Sequence, residues 1–293
     1  MNIITRGDFD GLICSVLITD AESISQIRFA HPRAMQDGEV AVSGQDIIVN
    51  LPYHPDCGLW FDHHISEYER GSKPGSFKGK YGLAPSCARL VYDYYNKKEW
   101  GKYSELLTAT DRIDSAHLSL DDILRPRGWL KIANTVDPRS GYAPSHDYFL
   151  SLVEWIKEYT VDEIVELDEV KDRLREFFKQ DEEYKSALSG NSQLEGNVVT
   201  TDFRRLVKTP LGSRFLIYAL YPSANVSLRV FNAPASGYVI VAVGRSLINK
   251  TCETDIGNLL AEYGGGGHTG AGTCRVMADS ADDVIADLTQ RLS

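Results

Sequence analysis

The sequence predicts an α/β fold: a first domain around a mostly parallel sheet, a helical connector, and a smaller α/β domain with a mainly antiparallel sheet. Three observations predict it. In the first half, short apolar strand candidates alternate with segments of helical spacing, the pattern of strands joined by crossovers. From about 146 to 188 the chain turns helical and highly charged. Beyond Gly190, strand candidates follow one another with only turn residues between them. At 293 residues the chain is about twice a typical domain. The divisions expected are 1–160, a connector over 161–190, and 191–293.

The elements follow in order. Residues 2–5 form an apolar strand that breaks at Arg6-Gly7-Asp8-Phe9-Asp10-Gly11 and passes into a helix from Leu12 to Thr19. Further strands are expected over 26–30, 46–51 and 58–61, with Pro52 and Pro55 ending the third. Residues 83–96 read as a helix entered through Pro85, with Ala88, Val91, Tyr92 and Tyr95 at helical spacing. A second helix covers about 103–113 and runs into Asp111 and Asp114, which share one of its faces. In the connector, Val161, Ile164, Val165, Leu167, Val170, Leu174, Phe177 and Phe178 mark an apolar stripe, and Gly190 ends the helix. The second domain is expected to hold strands at 197–203, 213–220, 225–231 and 238–245, then a short helix over 255–263.

Three stretches carry chemistry. Gly58-Leu59-Trp60-Phe61 reads as a buried strand that delivers Asp62, His63 and His64 together at its end. Adjacent acid and imidazole groups there need a cation or a wet cleft to satisfy them. Asp8 and Asp10 sit at the turn after the first strand, where parallel sheets bind ligands. Four consecutive glycines, 264–267, precede His268. Such a run costs backbone entropy, so close approach to that backbone is expected, and consecutive N–H groups would make an anion nest. Arg245 and Ser246, ending the last long strand, are the candidate phosphate grip.

In this order, Asp8-Phe9-Asp10-Gly11, Asp62-His63-His64, Asp114-Ser115 and Gly265-Gly266-Gly267-His268 resemble the DHH phosphoesterase superfamily with a C-terminal DHHA1 domain. The resemblance covers nearly the whole chain. That superfamily includes RecJ-like exonucleases, nanoRNases, cyclic-dinucleotide phosphodiesterases and exopolyphosphatase-related proteins. Asn50-Leu51-Pro52-Tyr53 and the Arg6 to Gly11 stretch are most similar to the last branch. The resemblance implies a phosphoesterase with divalent ions, commonly Mn²⁺, in a cleft between the domains. Asp8 would bind a first ion, and Asp10, His63 and Asp114 a second. His64 would face substrate, while Arg245, Ser246, Gly265, Gly266, Gly267 and His268 would hold phosphate.

The chain departs from that pattern at three positions. Ile4 stands where the family's first motif begins with His, and Arg6 where its nuclease branch has an acid. Asn50 stands where an aspartate usually bridges both ions. One ion is therefore expected over two, with Asn50 as a neutral ligand and Arg6 as a substitute phosphate clamp acting beside His64 in catalysis. His54 or Asp56 would be the residues to repair the first site. Either Asp111 or Asp114 could be the helix-borne ligand. A non-hydrolysing phosphate or nucleotide sensor is the rival reading, because Ile4 and Asn50 replace ligands.

Composition limits the partners. A net charge of −10 excludes binding long duplex nucleic acid through bulk charge. A small anionic substrate fits: an oligonucleotide, a cyclic dinucleotide or polyphosphate. Five scattered cysteines without a Cys-x-x-Cys pair read as reduced thiols of a cytoplasmic protein. Neither a signal peptide nor a membrane span is expected, and a homodimer is the assembly to test.

Overall fold

The computed structural model describes residues 1–64, 76–208, 210–234 and 237–293. The chain forms two compact units, Met1–His117 with Pro126–Phe177, and Leu118–Arg125 with Phe178–Ser293.

Among the described residues, the first unit has five parallel strands: β1 (Asn2–Thr5), β2 (Gln26–Phe29), β3 (Asp46–Val49), β4 (Leu59–Asp62) and β5 (Gly79–Tyr81). Their spatial order is β2-β1-β3-β4-β5. The order reverses between β1 and β3. At such a switch point the connections leave to opposite faces of the sheet, and a crevice opens beyond the carboxyl ends. Asp8 follows β1, Asn50 follows β3, and His63 and His64 follow β4, so one topological feature brings three distant stretches together.

Helix α1 (Phe9–Ala21) crosses from β1 to β2 and is buried from Phe9 through Ile18. A helix apolar on all sides belongs inside a fold. It packs on α3 (Cys87–Tyr95) and α7 (His146–Glu158), after α2 (Pro32–Gln36) and with α4 (Ser104–Asp114), α5 (Leu120–Leu124) and α6 (Trp129–Asn134) between them in sequence. Strand alternation sends Ile3, Ile47, Val49 and Phe61 into this main core. Ile4, Ile48 and Trp60 point the other way, into a smaller cluster with Met35 and Leu51. Gly79 lies at φ +120, and a Cβ there would come within 2.0 Å of the Trp60 carbonyl, which fixes glycine where β5 meets β4.

The expected connector is two helices. After α7, α8 (Val161–Val165) starts at a capping box in which Thr160 and Glu163 satisfy each other's end groups. Then α9 runs Asp168–Asn191, through Gly190 rather than stopping there. Asn191 donates to the Ala187 carbonyl, and β6 follows directly. Val161 to Leu174 join the core of the first unit, while Phe178 is exposed.

The second unit holds β6 (Ser192–Glu195), β7 (Val198–Asp202), β8 (Val226–Asn232), β9 (Tyr238–Arg245), β10 (Gly266–His268) and β11 (Ala271–Met277), in the order β10-β11-β9-β8-β7-β6. Among the described residues of this unit, only β7 and β8 pair in parallel. Helices α11 (Ile256–Ala261) and α12 (Ala281–Leu292) cover one face, over Val226, Leu228, Val230, Val241, Val243 and Cys274. The strand expected at 213–220 is instead a helix, α10 (Leu216–Leu220). Leu216, Ile217 and Tyr218 are buried consecutively, a short apolar run whose periodicity does not separate strand from helix. Among the described residues, no helix is long and apolar enough to cross a membrane.

Asp181 on α9 gives a stability prediction. Burial, helped by the charge of Glu182, pushes its carboxyl up to about 6, and Oδ1 has no hydrogen-bond partner among the described residues. A carboxyl whose folded pKa is raised holds its proton more tightly when folded, so stability falls as pH rises from about 4 to about 6. Asp181→Asn is therefore expected to raise the melting temperature at pH 8 and to leave it near the wild-type value at pH 4. Equal shifts at both pH values would contradict this origin.

Candidate active site

The site begins with the cap of α1. Asp8 is the N-cap residue, and its Oδ1 accepts from the Gly11 amide at 3.0 Å. Gly11 is required by close approach, since a Cβ would lie 2.2 Å from the Arg6 carbonyl. The same Asp8 oxygen accepts from Asn50 Nδ2 at 3.1 Å, and Oδ2 lies 3.2 Å from Arg6 Nε. Both Asp8 oxygens are thus engaged by protein donors. Asn50 has φ 56, in the left-handed region that asparagine tolerates better than most residues. Its Oδ1 is buried without a partner among the described residues.

Asp10, two residues on, is held by the start of α3. Its Oδ1 accepts from the Ala88 amide and its Oδ2 from the Cys87 amide, each at 2.9 Å. Burial, with the charge of Asp114, pushes this carboxyl up to about 7 despite His63 nearby. His63 Nδ1 lies 3.0 Å from the Ala84 carbonyl, which can only accept, so Nδ1 carries a hydrogen. Nε2 is therefore aimed at the acids, 3.1 Å from Asp114 Oδ2 and 3.8 Å from Asp10 Oδ2. The closer contact lacks hydrogen-bond alignment, and Nε2 is buried without a proper partner among the described residues. Burial alone would lower the His63 pKa. The adjoining Asp114 and Asp10 carboxylates outweigh it and push the value up to about 10.

One ligand atom each from Asp10, His63 and Asp114 lie within 4.8 Å of one another. Two carboxylates and an imidazole converging there fit a divalent cation, and the orphaned Nε2 is the atom such an ion would satisfy. Asp111 does not face this cluster. It takes the Arg89 guanidinium at 3.0 and 2.5 Å and the Ser86 hydroxyl at 2.6 Å. The residues for a first ion do not fit one: Ile4 is core, Asp8 is engaged, and Asn50 turns its amide nitrogen to Asp8. His54 closes its own turn, its Nδ1 accepting from the Asp56 amide, and Asp56 is exposed.

Two features were missed in the sequence. Asp62 Oδ1 lies 2.7 Å from His64 Nδ1, and that carboxylate raises the imidazole pKa against the pull of burial. Asp62 thereby orients His64, leaving Nε2 as its outward atom. Cys14 and Cys87 lie buried beside Asp10, within 4.8 Å by their ligand atoms. Burial pushes the Cys14 thiol well up and Cys87 to about 11, so both are neutral at pH 7. Their only signal in the sequence was that they read as buried thiols.

In the second unit the residues expected to grip phosphate make the following contacts. Arg245 directs its guanidinium at the Thr254 and Glu253 carbonyls, 2.9 and 2.7 Å away. Ser246 Oγ accepts from the Ile248 and Asn249 amides, closing a turn. Gly264 and Gly265 donate to the Ala261 and Leu260 carbonyls at the end of α11, and Gly266–His268 is a strand. The glycine run is therefore not a nest of consecutive free N–H groups. The close approach is by the protein's own β11, since Cβ atoms on Gly265 and Gly267 would come within 2.3 and 2.2 Å of the Thr273 and Ala271 carbonyls. His268 is exposed and accepts from the Gly270 amide.

No family model matches the chain, and no curated protein matches it. Among solved structures, it is similar to PggH, a pGpG-specific phosphodiesterase from Vibrio cholerae, at 34% identity and a TM-score of 0.85, covering 99% of this chain and 98% of that one. RecJ from Thermus thermophilus, solved with Mn²⁺, matches at 13% identity and a TM-score of 0.54 over 95% of this chain and 49% of that one. An exopolyphosphatase-related protein from Bacteroides fragilis matches at 11% identity and a TM-score of 0.51 over 99% and 91%. The last two likenesses concern the fold alone.

Proposed function

The chain belongs to the DHH/DHHA1 phosphoesterase superfamily, and on that premise we propose that it hydrolyses the phosphodiester of a short 5′-phosphorylated dinucleotide such as pGpG, using one divalent ion. The observation that carries the ion is the convergence of Asp10, His63 and Asp114 around an unsatisfied His63 Nε2. These three residues would hold it, and mixed carboxylate and imidazole donors suit Mn²⁺. When bound, the ion supplies Lewis acidity toward the phosphoryl group and lowers the pKa of water.

The chain's own residues do the rest. The Ala84 carbonyl fixes the His63 tautomer, so that Nε2 turns to the ion. Asp62 fixes His64, whose Nε2 is presented to a phosphoryl oxygen or to the leaving oxygen. Arg6, through Nε, neutralises Asp8 where an ion stands in two-ion relatives. Its remaining guanidinium nitrogens form the phosphate clamp. The amide of Asn50 replaces a carboxylate that would otherwise repel Asp8. The five free thiols fit a reducing compartment, and we read the protein as cytoplasmic.

The test is metal content and turnover on one Mn²⁺-reconstituted sample, with pGpG, a cyclic dinucleotide and a short polyphosphate as substrates. About one ion per chain with cleavage of pGpG is expected. Two ions per chain would overturn the single-ion reading. Bound pGpG that stays intact would overturn hydrolysis in favour of a sensor.

A further inference from the structure

Arg229 is partly buried on β8 of the second unit, and among the described residues its guanidinium makes no hydrogen bond and no ion pair. That is unusual in a chain with 41 acidic and 31 basic residues, where a carboxylate is readily found for a cation. Asp202 is close in register, opposite Val230, but it pairs with Arg204 instead.

Register places Arg229 on the sheet face opposite the α11 and α12 core. Leu228 and Val230, its neighbours along the strand, both belong to that core. A lateral row runs Thr201, Arg229, Ala242, Thr273 and Gly266 across β7, β8, β9, β11 and β10. On the β9 side of Arg229, Ala242 is partly exposed, Thr273 is exposed, and a Cβ on Gly266 would meet nothing within 4 Å. The adjacent row ends in the exposed imidazole of His268, three strands from Arg229, or about 14 Å at normal strand spacing. In the adjacent row the Tyr218 hydroxyl is fixed by Ser227 and the Gly244 carbonyl; burial pushes its pKa up to about 12, and the charge of Arg229 pulls against that.

We propose that Arg229 is the phosphate-monoester anchor of a nucleotide-binding shelf on this face, with the low row from Ala242 to Gly266 as its floor. The proposal rests on the reading that the substrate carries a 5′-phosphate. It moves the anchor from Arg245, whose Nε and Nη2 donate to carbonyls, to a guanidinium on the same sheet that makes no hydrogen bond or ion pair among the described residues. A guanidinium binds a phosphate dianion bidentately, which also explains why arginine rather than a shorter polar residue stands on the strand.

The probes are GMP and guanosine, which differ by the monoester and contain no phosphodiester to cleave. Equilibrium dialysis against the Mn²⁺-reconstituted chain is expected to show GMP bound about tenfold or more tightly than guanosine. Arg229→Gln is expected to remove that preference. A preference that survives in Arg229→Gln overturns the assignment, because the phosphate is then held elsewhere, as does its absence from the wild type. Arg229→Lys keeps charge and stem and covers the case in which the Gln variant fails to fold. At least about threefold loss of the preference is expected in it, and the full wild-type ratio would overturn bidentate anchoring. Cleavage of pGpG by the wild type is read separately, so failure of the substrate reading and failure of Arg229 are told apart.

Discussion

His63→Ala is expected to lower pGpG hydrolysis by about 10²–10³-fold or more and to release the bound ion, while the protein still unfolds in one cooperative transition. His63 supplies the one imidazole in the cluster of Asp10, His63 and Asp114, and the Ala84 carbonyl turns its Nε2 toward the two acids. Elemental analysis after dialysis and initial rates on the same sample check this. Substantial activity in the variant would remove the cluster from the reaction. Asp10→Ala is the weaker test. Its carboxylate accepts from the Cys87 and Ala88 amides, so truncation orphans two buried donors at about 1–3 kcal/mol each. Lost activity in that variant could not be separated from lost structure.

Strands β1 to β4 were legible because they are short, carry apolar residues and are bounded by glycine, proline or acid, and because the catalytic types stand at strand ends. Strand β5, Gly79-Lys80-Tyr81, has no apolar run and was not expected. Asp8, Asp10, Asn50, His63 and His64 could be placed together from strand order alone, since parallel sheets gather ligand groups at one edge. The partners of those groups were not legible. That Asp111 turns to Arg89 while Asp114 turns to His63 depends on how α3 and α4 pack, and both acids lie on the same helical face. Asp62 was read as part of a triplet, but its work on His64 needs the geometry of the chain leaving β4.

In the second unit the glycines misled for a definite physical reason. A glycine run signals close approach, and sequence cannot say whether a ligand or a neighbouring strand approaches. Here β11 does. Arg245 has a structural role that the sequence did not show. An arginine at a strand end can grip phosphate or tie down a following loop, and here Nε and Nη2 tie down the loop through the carbonyls of Thr254 and Glu253. Arg229 carried no motif at all. Only the register, and the lack of an acid beside it among the described residues, single it out.

Asn50→Asp tests why the chain tolerates losing one ion's ligands. Asn50 Nδ2 donates to Asp8 Oδ1 at 3.1 Å, with both side chains almost fully buried. An aspartate in its place exchanges that hydrogen bond for two carboxylates in contact. Arg6 reaches one Asp8 oxygen, and its charge is insufficient for both acids. Leaving an uncompensated buried charge costs about 3–5 kcal/mol, so the metal-free variant is expected to melt well below the wild type near pH 7.5. The sign of the pH dependence follows. Two carboxylates in contact raise at least one folded-state pKa above its unfolded value, so the folded variant binds the extra proton. The penalty is then absent below about pH 4 and grows as pH rises through the raised value. Mn²⁺ between the two acids would offset it, so the ion is expected to raise the variant's melting temperature more than the wild type's, with more than the wild-type number of ions per chain. A metal-free variant as stable as the wild type at pH 7.5 would mean that the Asn50 to Asp8 contact does not stand in for an ion. The single-ion site would then need another explanation than the one Arg6 and Asn50 provide.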